Sequence, residues 1–139
     1  MKVRLFINLT YLTLKIHPSH QEDKMPLAVV RTNLNKTATP KSFLADFTDF
    51  IVKTLGCDEK YTMIEMHTDV PMMRAGTTAP MLNLDIHHAD DQVTDDTKRE
   101  LAAKFAEFLV SQVEVPIDRI LVLFFDSRQC TSIHSITSL

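Results

Sequence analysis

The chain has 139 residues, of which 45% are hydrophobic and 24% charged, with 2 Gly, 6 Pro and 2 Cys. That composition can bury one core and excludes collagen-like or disordered classes, and the length excludes two full domains, since single domains run to roughly 100–200 residues. A net charge of −3 without a local cluster of Lys and Arg gives no attraction to a phosphate backbone, so nucleic acid is not an expected partner. Cys57 and Cys130 are too few for a disulfide framework or a four-thiolate metal site. One bridge between them and two free thiols in a reducing compartment both stay open.

The first sixteen residues place Lys2 and Arg4 ahead of apolar residues, as a secretory leader does, but Asn8, Thr10, Thr13 and Lys15 interrupt the run and no small-x-small cleavage site follows. They read as a strand-like arm or an upstream segment outside the working protein. The polar stretch His17 to Lys24 sets off this arm, 1–24, from the domain proper, 25–139. Leu27 to Thr32 is aliphatic and β-branched and predicts a strand. Thr39 and Pro40 predict an N-cap and first-turn proline. Phe43, Leu44, Phe47, Phe50, Ile51 and Leu55 then recur on helical spacing up to Gly56. Strands are expected over Tyr61 to His67 and, after a loop with Pro71, Gly76 and Pro80, over Met81 to His87.

Asp90, Asp91, Thr94, Asp95 and Asp96 crowd the expected start of a second helix, where acidic groups suit the positive end of the dipole. Leu101, Phe105, Phe108, Leu109 and Val113 mark its buried face, and Pro116 is its expected stop. Arg119 to Phe125 is the most hydrophobic strand, expected to be buried on both faces. Its apolar run falls far short of the roughly 18 residues a spanning helix needs, so membrane insertion is not expected.

The segment beginning at Asp46, laid without a gap over the segment beginning at Lys104, matches Phe47 to Phe105, Phe50 to Phe108 and Val52 to Val110. A shared helix-to-strand length predicts two copies of a β-α-β unit. The expected fold is therefore α+β, a four-stranded mixed sheet with two antiparallel helices on one face. The other face, rich in apolar side chains, then needs a cover, and a homo-oligomer supplies it.

With these elements placed, MPLAVVRTNL (from Met25), TPKSFL (from Thr39), MMRAGTTAP (from Met72) and PIDRILVLFFD (from Pro116) resemble the macrophage migration inhibitory factor and D-dopachrome tautomerase family. The last strand looks closer to the D-dopachrome branch. The resemblance implies a homotrimer with active sites at subunit interfaces, no cofactor or metal, and cytoplasmic or non-conventionally secreted protein. It also implies that Pro26, as a free N-terminal amine, is the base of keto-enol tautomerisation on small enolisable substrates such as phenylpyruvate or dopachrome-like compounds. A terminal amine ordinarily titrates near 7.7–8.0, and an apolar pocket lowers that toward working pH, whereas a proline amide is not basic.

Several positions depart from the family pattern. Cys57 stands where the family carries a lysine for the substrate carboxylate, and Leu121 and Leu123 stand where the last strand carries polar pocket residues. Arg74 and His88, with Ala89 beside it, fall close to pocket-lining positions, so either Arg74 or His88 is a candidate replacement donor. A solvated Arg74 and a strand-capping His88 are the plainer readings. His87 and His88, adjacent on a strand, point to opposite faces and are poorly placed to share a metal ion. Met81 and Leu84 replace the family's Cys-x-x-Cys, against a thiol oxidoreductase. Cys57 near Lys53 and Lys60 has the charge environment of a reactive thiol but equally reads as a plain half-buried cysteine, and Met63, Met66, Met72, Met73 and Met81 read as filler. Two functions follow: a proline-dependent tautomerase, or a non-catalytic cytokine-like protein engaging a cell-surface receptor through a trimer whose pocket chemistry is lost.

Overall fold

Alternating aliphatic and β-branched residues form the strands β1 (Leu27–Thr32), β2 (Met63–His67), β3 (Leu82–His88) and β4 (Ile120–Asp126), and the two phenylalanine-rich amphipathic segments form helices α1 (Phe43–Leu55) and α2 (Lys98–Gln112). The structure, a computed structural model, describes residues 25–129. The leader-like arm, Cys130 and the spaced Ile133, Ile136 and Leu139 of the tail lie outside the described residues.

Element ends shift where local hydrogen bonds decide them. Thr39 does not cap α1; it closes a preceding 3-10 turn, its Oγ1 donating to the Lys36 carbonyl at 2.8 Å, and Ser42 is the N-cap. Gly56 ends α1 in the left-handed region, φ 64°, with its N–H donating to Val52 O at 2.9 Å. The acidic run from Asp90 to Asp96 lies wholly ahead of α2, whose N-cap is Thr97. Helix α2 stops at Gln112 rather than running to Pro116, because Val113 turns extended, φ −132° and ψ 153°, and both Val113 and Val115 plug into the core.

The strand order is β2-β1-β3-β4, with β1 parallel to β2, β3 parallel to β4, and β1 antiparallel to β3. Two β-α-β units thus share an antiparallel central pair, and both helices cover one face. Ala28, Val30, Leu82, Leu84 and Ile86 are buried there against Phe43, Phe47, Ile51, Leu55, Phe105 and Leu109. The sequence echo meets itself in space: Phe50 stacks on Phe108 with ring centroids 4.5 Å apart, and Phe47 meets Phe105 edge-on at 6.2 Å. Such pairs add about 0.5–1.5 kcal/mol each beyond the area they bury.

The expectation that the last strand is buried on both faces does not hold within one chain. Strand β4 is an edge strand; Ile120, Val122 and Phe124 pack on the core, but Leu121, Leu123 and Phe125 on the outer face keep 39%, 41% and 40% of their surface exposed. No second layer among the described residues covers that face.

Candidate active site at the start of the first strand

The antiparallel register sets Leu27 opposite His87, so the residue ahead of β1, Pro26, faces the end of β3. The left-handed turn at Gly56 brings the end of α1 to the same place. Pro26, Leu55, Cys57, His88, Ala89 and Asp90 line one cavity, about 180 Å³ including its open mouth. Only about 10 Å³ of that can hold the centre of a water-sized molecule, room for about one water, against the roughly 300–1,000 Å³ of a typical small-molecule pocket. Pro26 itself is buried, and its carbonyl accepts the Met63 N–H at 3.0 Å, tying it to β2.

His88 is almost fully buried, edge-on to Phe124 at 6.2 Å, and its Nδ1 accepts the Asp90 backbone N–H at 3.3 Å. Burial holds its pKa below the ordinary imidazole value, outweighing the upward pull of Asp126 and Asp90. The ring is accordingly neutral at pH 7, with Nδ1 as acceptor. Asp90, 3% exposed, takes the Gln92 N–H on Oδ1 at 2.8 Å, whereas its buried Oδ2 has no hydrogen-bond partner among the described residues. Cys57 is half-buried and its thiol is occupied locally, 3.4 Å from Thr62 Oγ1 and 3.8 Å from the Ile51 carbonyl.

Arg128 braces this corner, donating from Nη1 to Asp91 at 2.6 Å and bidentately to Asp126 at 3.0 and 2.9 Å. Those hydrogen bonds draw the Asp126 pKa down to about 2. The loop carrying Ala89, Asp90 and Asp91 is thereby fastened to the end of β4.

Of the residues singled out from sequence, Pro26, Cys57, His88 and Ala89 are brought together. Arg74 is not: it opens the turn closed by reciprocal Arg74–Thr77 backbone hydrogen bonds of 3.1 Å, beyond the far end of the sheet from Pro26. Leu121 and Leu123 lie on the outer face of β4, outside the cavity. His87 stacks on Phe125 at 5.0 Å on that outer face while His88 turns into the core. No group of three or more His, Cys, Asp or Glu side chains arranged to hold a metal ion occurs among the described residues, and no helix among them is long and apolar enough to cross a membrane. Asp90 also lines the cavity, although from sequence an aspartate near a helix start reads as dipole complement. Its place two residues past a strand-end histidine is the sequence signal for it, since an aspartate there turns its own backbone, as the Gln92 N–H to Asp90 Oδ1 bond does.

The model of the family described as Macrophage migration inhibitory factor matches residues 25–136. This chain belongs to that family. D-dopachrome decarboxylase-B of Xenopus laevis is 29% identical over 100 residues, 72% of this chain and 85% of the relative. Macrophage migration inhibitory factor of Rattus norvegicus is 22% identical over 102 residues, 73% of this chain and 88% of the relative. Among solved structures, macrophage migration inhibitory factor from Oncomelania hupensis superposes with a TM-score of 0.71 at 18% identity, covering 80% of this chain and 81% of that one. At that identity the superposition establishes the fold, and the family supports tautomerase or cytokine-like function in general terms.

Proposed function

We propose that this protein is a tautomerase in which the Pro26 amine, exposed when the polypeptide begins at that residue, moves a proton between carbon and oxygen of enolisable carbonyl compounds, phenylpyruvate-like or dopachrome-like. The observation that carries the reading is the burial of Pro26 in the wall of a cavity shared with Cys57, His88 and Ala89. A secondary amine there sits beside the apolar Leu55 and Ala89, which favour its neutral, basic form, and beside Asp90, which favours the ammonium. While Met25 is attached the nitrogen is an amide and cannot act as a base.

Within this reading the active form is a homotrimer, present in the cytoplasm or released without a conventional leader, and the outer faces of neighbouring β4 strands complete the pocket. A core built from residues 28–124 and a family match that starts at residue 25 support the polypeptide from Pro26 onward as a self-sufficient folding unit. Expressed from Met25, with removal of that methionine verified by intact mass, it is expected to interconvert the keto and enol forms of phenylpyruvate. The Pro26→Gly variant is expected to lose tenfold or more of that rate, on the order of the 10²–10⁴ that positioned acid-base groups supply. Activity no higher than that of Pro26→Gly points to the second reading, a non-catalytic cytokine-like trimer. The specific observation favouring that reading is the aliphatic or thiol character of Leu121, Leu123 and Cys57 where the family resemblance places polar and cationic groups.

A further inference from the structure

The cavity beside Pro26 is lined by a buried carboxyl group, Asp90, whose second oxygen has no hydrogen-bond partner among the described residues. Asp90 Oδ1 is committed to the Gln92 N–H, but Oδ2 is inaccessible and accepts nothing among the described residues. Such an orphan carboxylate oxygen is costly, and buried acids are normally paired or hydrogen-bonded. The neighbouring groups do not supply the bond: Cys57 Sγ lies against Thr62 and Ile51, and His88 Nδ1 is itself an acceptor from the Asp90 backbone. Pro26 nitrogen carries no hydrogen while acylated by Met25. As a free secondary ammonium it carries two, so the event that creates a base also creates a donor in the same cavity.

We propose that Asp90 is the counter-charge of the Pro26 amine, a positioning residue that holds the base and turns the pocket toward uncharged carbonyl compounds in preference to keto acids. The proposal rests on the tautomerase reading for the role of the amine. The titratable groups lining the cavity are Cys57, His88 and Asp90; behind His88 stand Asp126 and Arg128, which are bonded to one another. Among the described residues no lysine or arginine lines the cavity. From this chain's side of the pocket a substrate carboxylate meets Asp90 with only the amine to balance it, whereas the corresponding ester meets no such opposition.

The test uses the Pro26-first protein labelled with ¹⁵N-proline, in which the amine of Pro26 is distinct from the proline amides. Its titration is followed in the parent and in Asp90→Asn, an isostere that retains the Oδ1 acceptor for Gln92. An opposite charge within about 4–6 Å shifts a pKa by roughly 1–3 units, so the amine is expected to titrate at least one unit lower in Asp90→Asn. An unchanged titration overturns the pairing. Should Asp90→Asn fail to fold, the ¹³C signal of the Asp90 carboxylate in the parent must follow the amine titration, and a signal that does not follow it overturns the pairing equally. Binding of phenylpyruvate and of its methyl ester, read from the same amine signal, is expected to favour the ester about tenfold in the parent and to even out in Asp90→Asn. Equal or tighter binding of the acid by the parent overturns the substrate preference. Because these readouts need no turnover, an amine shift without tautomerisation sinks the enzyme reading alone, and tautomerisation without the shift sinks the counter-charge alone.

Discussion

His88 is a buried imidazole held neutral by its surroundings, and that has a consequence for stability. Its folded pKa lies below the ordinary value because of burial, so in acid the unfolded chain takes up the proton first. The sign is therefore fixed: the neutral ring contributes fully above the unfolded value near 6.5, and the contribution is lost as pH falls from there through the folded pKa. Replacing the ring by an amide of similar reach keeps an acceptor for the Asp90 N–H but removes the titration. His88→Gln is expected to lose stability at pH 7.5 and to close part of that gap by pH 5, measured as urea midpoints at both values; a gap that stays constant with pH contradicts the assignment. The family resemblance marks Pro26, inside the first motif, and Cys57, just past the first helix, as candidate site residues in the sequence alone. The state of His88 and the orphan oxygen of Asp90 were not legible, since both depend on what packs around them.

At the scale of elements, periodicity reveals both helices and all four strands, while their ends depend on hydrogen bonds that no periodicity encodes. The loop from Arg74 to Pro80 shows the difference. Ala75 and Gly76 both have positive φ, 53° and 74°, inside a turn closed by Arg74 and Thr77, a pairing of conformations that type I′ hairpins require. Sequence marks Gly76 as a turn residue but gives no warning that an alanine occupies the other left-handed position. Nor does it reveal Arg119, whose guanidinium donates to the carbonyls of Arg74, Thr77, Ala79 and Pro80 at 2.9–3.3 Å and holds the loop against the start of β4. Charged donors of this kind contribute about 1.5–3 kcal/mol when the acceptors are otherwise unmet, and less here because water reaches them. Arg119→Ala is expected to cost about 1–2 kcal/mol in denaturant unfolding. Arg119→Lys should recover less than half of it, because an ammonium cannot reproduce the fork that spans four carbonyls. Full recovery by lysine would mean that charge alone, rather than geometry, holds the loop.

At the scale of the molecule, the apolar part of the outer sheet face is the surface that the proposed trimer would bury. The central pair carries polar groups on the outer face, with Arg31 Nη1 donating to Asp85 at 2.7 Å and His87 beside them stacked on Phe125. The apolar surface concentrates on β4, where Leu121, Leu123 and Phe125 follow one another along an edge strand. The sequence makes the hydrophobicity of this strand plain, yet it reads equally as a central strand buried on both sides; only the strand order distinguishes a core strand from one awaiting a neighbour. An edge that is apolar and has unused backbone groups invites pairing with another chain, consistent with the proposed trimer. Leu123→Asp places a charge in the middle of this strip without touching the core face formed by Val122 and Phe124. Each protomer then forfeits about 1.5–3 kcal/mol of apolar burial and must in addition desolvate a carboxylate, which weakens association by roughly a hundredfold or more. Sedimentation equilibrium at micromolar concentration is expected to give a trimer for the Pro26-first protein and a folded monomer for Leu123→Asp, with unchanged far-UV circular dichroism. A parent protein that sediments as a monomer under those conditions would leave the apolar strip on β4 without the neighbour that the trimer proposal assigns to it.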